Sequence, residues 1–538
     1  MLSGLMMDDY QLVLTSLIER VEQMSPDRKV VSRRPDGSVG HTTVGKCAAR
    51  ARRIASALAG LGVESGDRVA TLLWNQPEHL ELYFAVPLMG AVIHTLNPRL
   101  HPDELSFITS DAQDRTLIVD ESLLDVFDSF SSASAFEHVI VVSRDLAVPN
   151  GMLDYEELLA QAPAMQWPVL SERQAAAMCY TSGTTGRPKG VLYSHRSLVL
   201  HSMGAAHSDG LSVNSRDTVL LVVPMFHANA WGIPYAAALA GSALVLPGPR
   251  LDAASLLDLV EAERVTTSAG VPTVWMGVVQ ALDAEPARWD LSSVHELIVG
   301  GAAAPRSLME KLESHGLKVV TAWGMTEISP LGTVCRLPEC LDDAPPERQY
   351  DHRIRQGVPV PLVEIRGRAE DGALIPWDDA AMGELEVRGP WVAASYYGNA
   401  GVDKFTADGW FQTGDIVKID GQGCIRICDR AKDLVKSGGE WISSVDLENS
   451  LMSHPAVAEA AVIAIPDARW GERPLAAVVL SSPGGVTAEE LREHLLNEYP
   501  SWQLPDQVEF VEEIPKTATG KFKKTALRDR FAQTTAAD

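Results

Sequence analysis

The sequence predicts an α/β protein: a large N-terminal domain with mainly parallel sheets plus a β-rich subdomain, and a small α+β C-terminal domain. Three observations carry this. Over the first two thirds of the chain, apolar runs of strand length alternate with helical patterns, which builds parallel sheets covered by helices. After about residue 360 the texture changes to short strands between Gly and Asp turns. Beyond Asp429 a final piece mixes helices and strands again, and the charged turn Asp429-Arg-Ala-Lys-Asp433 is the expected boundary. A chain of 538 residues suits about two to four such units.

The elements follow in order. Residues Thr43 to Gly60 carry Ala and Leu at helical spacing, and Gly66 to Leu73 reads as a turn feeding a buried strand. Further strands are expected at Thr116–Val119, His138–Ser143, Val219–Val223 and Ala243–Leu246, with helices at Leu251–Ala262 and Pro305–His315. In the β-rich part, Gly383–Arg388 and Cys424–Cys428 read as strands. The last piece predicts helices at Val445–Met452 and Thr487–Glu498 and strands at Ala458–Ile465 and Leu475–Leu480.

Hydrophobic residues at 46% and charged residues at 22% fit a soluble globular protein. A net charge of -25 argues against nonspecific nucleic-acid or anionic-membrane binding, which needs a broad positive face. Any anionic ligand must therefore meet locally clustered cations. The cysteines at 47, 179, 335, 340, 424 and 428 form no C-x-x-C pair, so neither a disulfide framework nor a zinc site is expected, and a reducing cytoplasm fits. The N-terminus lacks the features of a secretory signal. Val219 to Pro249 holds no Asp, Glu, Lys or Arg, but its His227, Asn229, Pro224, Pro234 and Gly241 fit a strand, a turn, a short Ala-rich helix and a second strand better than a membrane span.

The stretch Thr181-Ser-Gly-Thr-Thr-Gly-Arg-Pro-Lys-Gly190 offers hydroxyls, backbone N–H groups and a lysine to phosphate. It departs from the G-x-x-x-x-G-K-[ST] loop of kinases and GTPases, since Pro188 stands where the second glycine is required. Trp323-Gly-Met-Thr-Glu327 pairs a stacking plane with a hydroxyl and a carboxylate suited to a hard cation. Asp415, in Trp410-Phe-Gln-Thr-Gly-Asp415, can accept ribose hydroxyls. Between Lys516 and Arg530 lie six cations and one acid, the local exception an anionic substrate needs in so acidic a chain.

Together these motifs, in this order, resemble the signature of the adenylate-forming superfamily, which contains acyl-CoA synthetases, luciferases and peptide-synthetase adenylation domains. The resemblance runs from about residue 40 to residue 530. It implies that Thr181, Ser182, Gly183, Thr184, Thr185, Gly186 and Lys189 hold the phosphates of ATP, and that Ala302, Trp323, Gly324 and Met325 surround adenine. Thr326 would contact the phosphate, Glu327 with Thr184 would hold Mg²⁺, and Asp415 with Arg430 would hold ribose. Lys521 would bridge carboxylate and α-phosphate during adenylation. His227, in Pro224-Met-Phe-His-Ala-Asn-Ala-Trp231, would gate an acyl pocket lined by Trp231, Gly232, Gly300, Gly301 and Pro330.

The same resemblance implies an adenylation domain over residues 1–430 and a mobile domain over 431–538 that rotates between half-reactions, with Lys432 at the hinge. Lys436, Ser437, Gly438, Gly439, Glu440 and Trp441 would then form a CoA tunnel. The implied activity is ATP-dependent ligation of a short- to medium-chain carboxylic acid, a fatty acid or a 3-methylmercaptopropionate-like thioether, to CoA by a cytoplasmic homodimer. The short stretch from Lys521 to Asp538 has no room for a fused carrier domain, so CoA is the expected acceptor. A free-standing carrier protein and a luciferase-like oxygenation are the alternatives that share these motifs.

Overall fold

The computed structural model of the chain describes residues 6–7, 9–181, 187–438, 440–467, 469–482, 484–516 and 522–535. Two large sheets carry the N-terminal part. In the first, the strands Leu153–Asp154, His138–Val142, Thr116–Asp120, Arg68–Leu72, Val92–Thr95 and Ala175–Tyr180 lie side by side and parallel, and Gly190–Ser194 closes the edge antiparallel to Ala175–Tyr180. The strands flanking residues 181–190 are therefore hydrogen-bonded neighbours, and both ends of that segment are fixed by the sheet.

The second sheet centres on the parallel strands Ala243–Leu246, Thr218–Leu220, Thr267–Gly270, Glu296–Val299 and Val319–Gly324, with Leu331–Cys335 added antiparallel. Their side chains are buried on both faces, as apolar runs under two layers of helix require. Val44–Gly60 begins as expected, with the Thr43 hydroxyl accepting from the Lys46 N–H as N-cap. The charge-free run after Val219 becomes Thr218–Leu220, the helix Ile233–Ala240 and Ala243–Leu246. No helix among the described residues is long and apolar enough to cross a membrane.

The expected β-rich part is an antiparallel sheet of Glu364–Arg368, Gly383–Arg388, Phe411–Ile419 and Ile425–Arg430. The C-terminal part is a mixed sheet with Val457–Asp467 and Gly471–Leu480 as its long hairpin, packed by helices Ser444–Ser453, Ala488–Leu496 and Lys524–Thr535.

Charged groups hold that C-terminal part at the turn after Arg430. Lys524 is largely buried and its Nζ lies 2.6 Å from Glu448 Oε1, which also accepts the Val462 N–H at 2.7 Å. Burial works against the Lys524 charge, but Glu448 and Asp429 outweigh it and raise its pKa. Arg528 pairs with Asp433 at 2.6 Å and reaches the Lys432 carbonyl at 3.3 Å, while Lys516 pairs with Glu459 at 2.5 Å. This corrects the expectation for the basic stretch: Lys516, Lys524 and Arg528 are engaged by the protein's own acids.

Replacing Lys524 with Met leaves Glu448 buried and unpaired. We expect a loss of about 3–5 kcal/mol in the denaturant-unfolding transition of the C-terminal part, largely restored in the double variant with Glu448→Leu. An equal loss in single and double variants would show that the pair does not hold this region.

Candidate active site

A cavity of about 510 Å³ opens where the two large sheets, the β-rich sheet and the turn after Arg430 meet. Thr181, Lys189, His227, Trp231, Gly300, Gly301, Trp323, Gly324, Met325, Thr326, Glu327, Pro330, Arg430 and Lys432 all line it. Residues more than 200 positions apart are gathered because strand ends of separate sheets converge on one rim. Arg99, Arg187, Lys189, Lys404, Arg430 and Lys432 also outnumber Glu327 and Asp433 on its walls, giving a positive patch in an acidic chain.

The strand Val319–Gly324 delivers Trp323, and the chain doubles back at once into Leu331–Cys335. A Cβ on Gly324 would lie 2.0 Å from the Pro330 carbonyl oxygen, so only glycine permits this crossing. Trp323 donates its indole N–H to Asp415 Oδ2 at 3.0 Å, and the Arg430 Nε lies 2.7 Å from Asp415 Oδ1. Asp415 and Arg430 face each other in register on adjacent strands. Asp415 is 2% exposed and off the cavity wall, so the structure uses it first as the brace of Trp323 and Arg430. A carboxylate has about four lone-pair sites, which leaves capacity for hydroxyls.

Glu327 accepts the Tyr396 hydroxyl at 2.6 Å, and the Lys189 ammonium sits 5.0 Å from the centre of the Tyr396 ring. Burial and the Glu327 charge raise the Tyr396 pKa, so the phenol stays a donor. The Tyr193 hydroxyl donates to the Thr326 carbonyl at 2.6 Å. Tyr193 and Tyr396 therefore fix the 326–327 turn, and sequence reasoning found neither. Tyr396 lies in no motif, and Tyr193 reads only as one residue of an ordinary strand.

At the opposite end of the cavity, residues 228–231 have φ between 42° and 55°, a left-handed turn and not the start of the Ala-rich helix. The buried Asn229 anchors it by accepting the Cys179 thiol at 2.7 Å. The turn aims Trp231 across Gly300, where a Cβ would meet the Trp231 ring at 3.1 Å. His227 and Phe226 complete this wall. His201 lies beneath: its Nε2 accepts the Leu331 N–H at 3.2 Å, and Gly232 packs directly against the ring.

The two sequence signals that extend furthest decide the family. Residues 18–397 match the AMP-binding enzyme family, and residues 446–521 match the AMP-binding enzyme C-terminal domain. The chain belongs to the AMP-binding enzymes. A long-chain-fatty-acid–CoA ligase of Thermus thermophilus is 48% identical to it, over 98% of this chain and 96% of the relative. A medium-chain-fatty-acid–CoA ligase of Ectopseudomonas oleovorans is 42% identical, over 97% and 96%. Among solved structures, an anthranilate CoA ligase in complex with anthranoyl-AMP matches with a TM-score of 0.87 at 26% identity, over 98% of this chain and 99% of that one.

Not every expected site residue of this AMP-binding enzyme lies on the cavity. Ala302 is exposed and Gly232 is buried against His201, both off its walls. Lys436 pairs with Glu370 at 2.6 Å, Ser437 accepts from Arg473 at 3.0 Å, Gly438 packs on Trp470, and Glu440 and Trp441 belong to the C-terminal sheet. None of these lines the cavity, whereas Phe522 does. Ser182, Gly183, Thr184, Thr185, Gly186, Gly439 and Lys521 lie outside the described residues.

Burial lowers the His201 pKa to about 3. Between pH 6.5 and about 3 the unfolded chain takes up a proton that folded His201 refuses, so its contribution is full above 6.5 and falls as the pH drops. Urea titrations at pH 7.5 and 5 should differ by ~2 kcal/mol from this residue, because the decline sets in only below the unfolded pKa. In His201→Leu that component disappears, while stability at pH 7.5 drops by about 1–3 kcal/mol because the Leu331 N–H loses its acceptor.

Proposed function

We propose that the protein activates an uncharged short- to medium-chain carboxylic acid as its acyl-AMP and passes the acyl group to CoA, releasing pyrophosphate and AMP. The observation that supports this most is the single cavity joining a charged end, with Lys189, Arg430 and Glu327, to an aromatic end walled by Trp231 on Gly300. A nucleotide and an acid can meet there. ATP and CoA are substrates of the related ligases. A volume of about 510 Å³ shared with a nucleotide leaves the acid a modest share, which favours short and medium tails, including thioethers.

A carboxylate is a poor acyl donor because its oxygen leaves badly, and a mixed anhydride with AMP divides the problem into two accessible steps. The acid attacks the α-phosphorus and pyrophosphate departs. Charge then gathers on the phosphoryl oxygens, where Lys521, Thr326 and the 181–190 loop would supply cations and hydrogen-bond donors. Trp323 stacks on adenine, and Asp415 with Arg430 receives the ribose. Glu327 fits a hard cation: it offers carboxylate oxygen on the cavity wall, held in place by Tyr396, and with Thr184 it would hold Mg²⁺. The ion would supply charge neutralisation to the phosphates.

Residue 522, next to Lys521, lines the cavity while 436–438 and 440–441 do not, which supports an arrangement suited to the adenylation step. Rotation of residues 431–538 about Lys432 would then bring the 436–441 segment to the acyl-adenylate and open a path for the thiol. Homodimer formation and a cytoplasmic location belong to the same proposal.

ATP–pyrophosphate exchange that requires an added carboxylic acid tests the reading directly. Lys521→Ala should lower that exchange by about 10²–10³-fold or more while thioester formation from supplied acyl-AMP stays near wild type; equal loss of both steps would remove Lys521 from the adenylation role. For Trp231→Ala, kcat/KM should shift about tenfold or more toward longer acids with little change in KM for ATP. An unaltered acid profile would take Trp231 out of the acyl pocket.

A further inference from the structure

Among the described residues one group of three metal-ligating side chains stands together: Cys335, His352 and Cys424, whose ligand atoms all lie within 4.8 Å of one another. None of the three lines the active-site cavity. They come from three elements far apart in the chain: the end of the strand Leu331–Cys335, the helix Pro346–Arg353, and the turn entering the strand Ile425–Arg430. Cys335 is 2% exposed and Cys424 is fully buried, while His352 is half-buried.

The Cys335 thiol donates to the His352 carbonyl at 3.3 Å, and the Cys424 sulfur and the His352 ring stand within 4.8 Å of it. Tetrahedral Zn²⁺ bound to sulfur at about 2.3 Å and nitrogen at about 2.0 Å places neighbouring ligand atoms about 3.3–3.8 Å apart. Side-chain movements of about 1 Å close the group onto such an ion.

We propose that Cys335, His352 and Cys424 form a binding site for a thiophilic metal ion, with Zn²⁺ as the fitting ion and water as its fourth ligand. Two thiols and an imidazole select a soft or borderline ion over Mg²⁺, so this site is chemically separate from Glu327. As the ion arrives, two thiol protons leave to solvent, and the two thiolates balance its charge. The ion would staple the strand that follows the 323–327 motif to the strand that ends at Arg430. The spacing of the cysteines alone did not favour a zinc site, and the proposal stands whether or not the assigned acid substrate is right.

The test uses the full-length chain, stripped with chelator and titrated with Co²⁺ or Zn²⁺ in excess Mg²⁺. Expected are one Co²⁺ per chain with thiolate-to-cobalt absorption in the near ultraviolet, and a rise of several degrees in Tm on adding Zn²⁺. Cys335→Ser and Cys424→Ser should abolish the absorption, His352→Gln should weaken Zn²⁺ binding at least about tenfold, and Cys340→Ser, at an exposed cysteine, should leave both intact. His352→Gln keeps the test decisive if a buried cysteine variant does not fold. Stoichiometric binding that survives His352→Gln and either cysteine change, no binding by wild type at micromolar Zn²⁺, or a Cys335–Cys424 disulfide in its place would each overturn the proposal.

Discussion

The carboxylate of Asp415 ties Trp323 of the second large sheet to Arg430 of the β-rich sheet. One oxygen takes the Trp323 indole from the second large sheet, and the other takes the Arg430 guanidinium from the adjacent strand of the β-rich sheet. With 2% exposure, this charge is costly to bury unless both oxygens are answered. The constraint therefore sets the ring plane of Trp323, the position of Arg430, and through Arg430 the start of the turn that leads into the C-terminal part. Both backbone N–H groups of Asp433 and Leu434 return to the Arg430 carbonyl, so that turn is registered on the same residue.

A second constraint lies at the aromatic end. Each residue of the left-handed turn 228–231 costs roughly 1–2 kcal/mol against a right-handed conformation. The compensation is visible in the buried Asn229–Cys179 hydrogen bond and in the packing of Trp231 on Gly300. Strain of this kind persists where the surroundings over-determine it, and here it lies on the wall of the cavity.

Charge is distributed to the same end. The chain carries a net charge of -25, yet the cavity walls hold mostly cations. The basic C-terminal stretch contributes less to that patch than its composition suggests, because Lys524 and Arg528 are spent on Glu448 and Asp433. Those pairs instead hold the last helix against the helix Ser444–Ser453 and the turn after Arg430, which links the position of residue 522 on the cavity to buried electrostatics several residues away.

The sequence by itself determined the layer architecture, because strand and helix periodicity and local turn chemistry are written within a few residues. The helix Pro77–Leu88 escaped that reading: it is buried all round, including His79 and Glu81, so no polar face marks its period. Spacing also hid Tyr193 and Tyr396 behind Thr326 and Glu327, and the approach of Cys335, His352 and Cys424. These contacts join sheets and subdomains across long sequence separations, and nothing local at either partner records the other. Only the packing of the sheets against one another decided which carboxylate braces Trp323, which cations face the cavity and which thiols meet, because buried polar groups must find partners wherever the fold brings them.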